Sequence, residues 1–161
     1  MKRIALVAHD SRKEELIEWC KYNKGVLMEH ELYATGTTGG LIERKVFTVE
    51  SEENPETHTI NLTREKDINK LLSGPLGGDS QIGAMIAEGK IDCLIFFCDN
   101  LIIQGHNSDI MGLTRLASLY NIAFATNRTT ADMIISSPLF GDVNYEKIKP
   151  GCIDKYANRN L

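Results

Sequence analysis

The sequence has no apolar run approaching the roughly eighteen residues that a membrane-spanning helix requires. Its opening, MKRIALVAHD, passes from a short apolar run straight into polar residues, so no signal peptide is visible. Cys20, Cys93, Cys98 and Cys152 show no CxxC spacing, and His9, His30, His58 and His106 are too dispersed for a local metal motif. We read reduced thiols in a cytoplasmic protein, without a structural metal. Positive charge is not in surplus: 18 Lys and Arg stand against 22 Asp and Glu, a formal charge of −4, which argues against a nucleic-acid partner. Neither a GxGxxG fingerprint, a GxxxxGK[ST] loop nor a GxSxG elbow occurs. Their absence disfavours dinucleotide binding, nucleotide hydrolysis and serine hydrolysis.

What the chain does have is the stretch SGPLGGD, residues 73–79. The apolar run 68–72 leads into it, and a helical pattern over 81–88 leaves it. Three glycines, Gly74, Gly77 and Gly78, allow a sharp turn and close approach of a ligand to backbone N–H groups. The helix start behind them suits an anion. Asp79 is then either the helix cap, for which Asp is well suited, or a residue that does chemistry.

The rest of the chain repeats one unit. Residues 4–8 read as a strand buried on both faces, ending at His9 and Asp10. Ser11 with Glu14 makes a capping-box pattern for a helix whose stripe of Leu16, Ile17 and Cys20 runs to Asn23 and Gly25. A second short strand, 32–34, meets TGTTGG (35–40), where hydroxyls and glycines suit a phosphate, although Thr37 or Thr38 could simply cap the helix. Residues 46–67 hold two alternating runs around Asn54-Pro55 and read as a β-hairpin, with a disordered loop as the competing reading. After SGPLGGD, residues 91–98 form the clearest central strand, ending on Asp99. His106 and Asp109 sit in the loop behind it, and Ile110, Leu113, Leu116, Ala117 and Tyr120 form a helical stripe. A fifth strand, 122–125, ends at Thr126 and Asn127. A last helix, 129–137, has Thr129 and Asp132 in capping-box register, and the tail from Pro138 reads as irregular.

Strands alternating with helices predict an α/β fold. The expected architecture is a single-domain three-layer sandwich over residues 1–161, with a five-stranded parallel, Rossmann-like sheet and an inserted hairpin at 46–67. Every polar corner then falls on one sheet edge, where such folds bind ligands. Helix starts and hydroxyls would hold a phosphate, carboxylates would move protons, and a histidine would polarise an oxygen. A cofactor-free reaction on a small phosphorylated metabolite fits that inventory.

The motifs ALVAHD, LYATGTTGG, LLSGPLGGD and EGKIDCLIFF, with the spaced Asp99, His106 and Asp109, resemble methylglyoxal synthase along residues 4–138. The resemblance implies conversion of dihydroxyacetone phosphate to methylglyoxal and inorganic phosphate without metal or organic cofactor, in a homohexamer. It implies that His9, Lys13, Thr35, Gly36, Thr37, Thr38, Ser73 and Gly74 hold the substrate, and that Asp79 is the base, with His106 and Asp109 as helpers. Phosphate would be product and inhibitor. The chain departs from the family's Trp-Asp-Pro with Cys98-Asp99-Asn100, and from its Pro-His-Asp with Gly105-His106-Asn107. Arg159 would match a C-terminal arginine that reaches a neighbouring subunit. A phosphometabolite-sensing module of the same fold is the alternative; it needs the threonine cradle but not Asp79, His106 and Asp109 together. A receiver-type signalling domain fits poorly, because its acidic cluster and lysine have no counterparts at the matching corners.

Overall fold

The computed structural model describes residues 1–50, 60–101 and 107–159. Seven strands are present among them: β1 Arg3–Ala8, β2 Glu31–Thr35, β3 Thr48–Glu50, β4 Leu62–Arg64, β5 Asn69–Leu71, β6 Cys93–Phe97 and β7 Ala123–Ala125. The helices are α1 Lys13–Tyr22, α2 Lys24–Met28, α3 Gly36–Val46, α4 Gly78–Ala87, α5 Asn107–Leu119, α6 Arg128–Ile135, α7 Pro138–Gly141 and α8 Gly151–Ala157. Five strands form one sheet in the order β5-β2-β1-β6-β7, and every neighbouring pair is parallel. The strands β3 and β4 pair antiparallel, Thr48 opposite Arg64, so the expected hairpin is present; its tip, 51–59, lies outside the described residues.

The continuous apolar runs become central strands because both faces of the sheet are covered. Ile4, Leu6 and Ala8 of β1 and Cys93, Ile95 and Phe97 of β6 face one helical layer, with Leu16, Ile17 and Trp19 of α1, Ile42 of α3 and Ala131 of α6. The alternate residues Ala5, Val7, Leu94 and Phe96 face Ile82 and Ile86 of α4 and Leu113 and Ala117 of α5. Each fully buried Leu, Ile or Phe contributes about 1.5–3 kcal/mol, so two such faces hold the three layers together. The chain winds outward from β1 through β2 to β5, then returns to the other side of β1 with β6. Strand order therefore reverses between β1 and β6.

Several boundaries differ from the sequence reading, each for a long-range reason. The last central strand starts at Cys93 rather than at residue 91, because Asp92 is drawn to Arg3: its carboxylate accepts the Arg3 backbone N–H at 2.9 Å and the guanidinium at 3.1 Å. That pairing holds the Asp92 carboxyl below the usual range, although burial works against it. The third sheet strand ends before Leu72, whose N–H is taken by Gln81 Oε1 at 2.8 Å. Ser11 is not a helix cap; it lies inside a 3-10 turn, Asp10–Arg12, and α1 begins at Lys13 without a side-chain cap. Nor does the first helix end for good near Gly25, since it resumes after Asn23 as α2. At α6 the cap is Asn127, whose side chain accepts the Thr130 N–H at 2.9 Å, and not Thr129. The tail is not irregular throughout. It contains α7 and α8, and Phe140 is buried edge-on against His30.

Trp19 ties the α1 layer to α6: it is fully buried and its Nε1–H donates to Asp132 Oδ1 at 2.8 Å. Replacing it with Ala should lower unfolding free energy by about 3–5 kcal/mol. Trp19→Phe, which keeps a ring but loses the donor, should cost nearer 1 kcal/mol for the bond itself. Denaturant unfolding checks both, and a neutral Trp19→Ala would contradict this packing.

Candidate active site

The C-terminal edge of the sheet gathers the polar corners. After β1, Lys13 opens α1 and turns its ammonium onto two partners, Asp10 Oδ1 at 2.5 Å and Thr37 Oγ1 at 2.9 Å. Lys13 holds the exposed Asp10 carboxyl below its usual range, chiefly through that hydrogen bond. A cation is thereby tethered beside the first turn of α3, where helix N–H groups lack intrahelical acceptors and carry partial positive charge.

The threonines of that turn are not caps. The capping position is Thr35, and its side chain makes no capping bond; Thr37 and Thr38 lie within the helix. Thr35 and Thr38 are buried, with their hydroxyl oxygens 3.4 Å apart. Because β2 and β5 are adjacent and parallel, the corner after β5 meets this turn directly. The Gly36 N–H donates to the Leu72 carbonyl at 3.3 Å, and a Cβ on Gly36 would stand 3.5 Å from both the backbone nitrogen and the hydroxyl of Ser73. Lys13, the 35–38 turn and Ser73 thus form one continuous surface of N–H, O–H and ammonium groups. It suits a phosphate dianion.

Asp79 reaches the same sheet edge by a tight reversal. A 3-10 turn, Gly74–Leu76, follows Ser73, and Gly77 takes φ +103°, a conformation that side chains disfavour. The Ser73 carbonyl accepts both the Leu76 and the Gly78 N–H groups. A Cβ on Gly78 would sit 2.0 Å from the Leu72 carbonyl oxygen, so only glycine fits there. Asp79 follows as the second residue of α4, and Gly77 holds the capping position. The carboxylate is 2% exposed. Helix capping therefore does not account for Asp79.

At the strand-order reversal, His9 is buried and its ring packs edge-on against Phe96, with centroids 5.1 Å apart. Its Nδ1 accepts the Asp99 backbone N–H at 2.7 Å. Ser11, read from sequence as a cap, instead donates its hydroxyl to Asp99 Oδ2 at 2.5 Å. Its position two residues beyond the His9 corner is the sequence signal that a hydroxyl is available there. Beside it, burial pushes the Cys98 thiol up to about 11, outweighing the opposing Arg12 charge, so the thiol stays protonated near neutral pH.

Among the expected site residues, His9, Lys13, Thr35, Gly36, Thr37, Thr38, Ser73, Gly74 and Asp79 all lie on this edge. His106 falls outside the described residues. Asp109 belongs to the first turn of α5, with its side chain also outside them. Arg159 lies against its own helix: its guanidinium stacks on Tyr156 at 3.5 Å and donates to that residue's carbonyl. A cavity of about 600 Å³ opens at the opposite, N-terminal edge, lined by Lys2, Asp92, Ile122, Phe140, Tyr145 and Lys147 among others. It contains none of the converging groups, and parallel α/β sheets bind ligands at the other edge.

The family model of the MGS-like domain matches residues 15–126. A methylglyoxal synthase of Maridesulfovibrio salexigens is 49% identical over 140 residues, covering 87% of this chain and 86% of that protein. Another, from Coxiella burnetii, is 45% identical over 159 residues, 99% of this chain and 97% of the relative. The crystal structure of methylglyoxal synthase from Elizabethkingia anophelis NUHP1 superposes with a TM-score of 0.80 at 40% identity, covering 99% of this chain and 92% of that one.

The close approach at Gly78 makes a paired prediction. A methyl group at Gly40 meets nothing within 4 Å, so Gly40→Ala in α3 should stabilise by about 0.5–1 kcal/mol. Gly78→Ala must displace backbone and should destabilise by about 1–3 kcal/mol. Thermal unfolding of both variants checks this; equal melting temperatures would contradict the geometry.

Proposed function

The chain belongs to the MGS-like domain family, and on that premise we propose that it is a methylglyoxal synthase. It is a carbon–oxygen lyase that converts dihydroxyacetone phosphate to methylglyoxal and inorganic phosphate. The single observation that carries the residue assignment is a buried carboxylate, Asp79, delivered by a glycine corner to the rim of a phosphate-suited surface.

The reaction balances without any co-reactant. Lys13, the turn of Thr35, Gly36, Thr37 and Thr38, and the Ser73-Gly74 corner hold the phosphate, and His9 contributes a hydrogen bond to the substrate. The Asp79 carboxylate takes a proton from the hydroxymethyl carbon. The C–H electrons become the carbon–carbon double bond of an enediolate, with negative charge on the former carbonyl oxygen. The hydroxyl on the deprotonated carbon then gives up its proton and forms the aldehyde C=O, and the carbon–carbon double bond shifts onto the phosphate-bearing carbon. Phosphate leaves with the bonding pair of the broken C–O bond, while the enediolate oxygen takes a proton. The remaining enol takes up a proton at its terminal carbon and becomes methylglyoxal. A positioned base is worth about 10²–10⁴-fold. A donor aimed at a developing oxyanion is worth about 10²–10³-fold. His106 is assigned the donor role and Asp109 that of its helper, both on family resemblance.

The same proposal includes a cytoplasmic homohexamer and inhibition by inorganic phosphate. No helix among the described residues is long and apolar enough to cross a membrane, which is compatible with that location.

Incubation with dihydroxyacetone phosphate should release phosphate and methylglyoxal in equal amounts. An isomerase would release neither, and a binding module would leave the substrate intact. Asp79→Asn should lower turnover at least about 10²-fold with the melting temperature unchanged. Near wild-type turnover in that variant would remove Asp79 from the mechanism.

A further inference from the structure

Ser11 lies in the 3-10 turn that follows β1, and its hydroxyl reaches across the strand-order reversal rather than along its own helix. Its partner, Asp99, is 88 residues away in sequence, in the loop that follows β6. Both carboxylate oxygens of Asp99 are engaged: Oδ2 accepts the Ser11 hydroxyl at 2.5 Å, and Oδ1 accepts the Leu101 N–H at 3.0 Å. The backbone N–H of Asp99 donates to His9 Nδ1 at 2.7 Å. A ring nitrogen that accepts an amide N–H carries no proton, so the neutral imidazole bears its proton on Nε2. The His9 backbone N–H donates to the Phe97 carbonyl at 3.2 Å, and the ring is further fixed by its edge contact with Phe96.

We infer that Ser11 and Asp99 are a positioning pair for His9. By clamping the loop after β6 to the turn after β1, they hold the Asp99 amide against Nδ1 and so fix the imidazole in one tautomer and one orientation. His9 then presents Nε2–H as a donor at the edge where the substrate is held. Neither residue touches the substrate; both act through the ring. The inference deepens the methylglyoxal synthase reading and rests on it for the donor role, while the clamp itself is a property of the folded chain.

The test uses Ser11→Ala, Ser11→Thr and Asp99→Ala in the full chain. In the parent protein, the ¹⁵N shifts of His9 should report protonation at Nε2 only, and the Asp99 amide should be protected from hydrogen exchange. Ser11→Ala should lower that protection at least tenfold and move the two ring shifts toward each other. Its kcat/KM for dihydroxyacetone phosphate should fall about tenfold, as loss of a hydrogen bond to a charged partner implies. Binding of inorganic phosphate, held by Lys13 and the threonine turn, should stay within twofold. Ser11→Thr restores the hydroxyl and should restore every readout, whereas Asp99→Ala should show the losses more strongly. Unchanged amide exchange and ring shifts in both alanine variants would overturn the clamp. Changed spectra with unaltered kcat/KM would overturn the donor role. A parent protein that makes no methylglyoxal, yet shows the spectral changes on substitution, would support the clamp while refuting the synthase reading.

Discussion

The Leu72 carbonyl oxygen and the α-carbon of Gly78 approach so closely that a methyl group would be 2.0 Å from the oxygen. The site is arranged around this contact. It folds the chain back immediately after β5, forces Gly77 into a left-handed turn, and starts α4 with no side-chain cap. The carboxylate that follows is carried inward, to 2% exposure, instead of onto the surface. The same Leu72 uses its carbonyl to accept the Gly36 N–H and its own N–H to donate to Gln81. One residue at a strand end thus binds the Asp79-bearing helix to the turn that suits phosphate.

Topology then decides which other groups can join. A parallel sheet with its strand order reversing between β1 and β6 leaves a crevice between the loops after those strands. His9 and Asp99 occupy its two sides. Both are held by local geometry: Phe96 and Phe97 contact His9, and Ser11 and the Leu101 amide hold Asp99. Pre-organisation of this kind lets a hydrogen-bond donor act without rearranging at the moment charge develops. The resemblance set Cys98-Asp99-Asn100 against a Trp-Asp-Pro sequence. The hydrogen bonds to Asp99 supply fixation that does not depend on that proline.

Much of this was legible in the sequence because it depended on neighbours in the chain. Residues 4–8 and 93–97 form continuous apolar runs, and such runs mean a strand covered on both faces. SGPLGGD announced a turn that only glycines allow, and the alternating runs within 46–67 became β3 and β4. What failed depended on partners far away. A Ser three residues before a Glu looks the same whether its hydroxyl caps its own helix or, as with Ser11, bonds a loop 88 residues distant. Asp92 read as strand until Arg3 claimed it. The tail looked irregular because Phe140 is buried against His30, a contact that no local pattern contains. Asp79 was ambiguous for the opposite reason: the residue type suits a cap as well as a base, and only the fold shows that Gly77 holds the capping position.

The central claim is that the glycine corner exists to place a proton acceptor beside the bound phosphate ester. Solvent exchange of the substrate's carbon-bound proton measures that step apart from everything after it. In deuterated water, the parent protein should transfer deuterium into the hydroxymethyl carbon of recovered dihydroxyacetone phosphate. Asp79→Asn, folded and still able to bind phosphate, should show no exchange above the uncatalysed rate. Exchange at near the parent rate in that variant would contradict the account, leaving the buried carboxylate without the role that the corner was argued to give it.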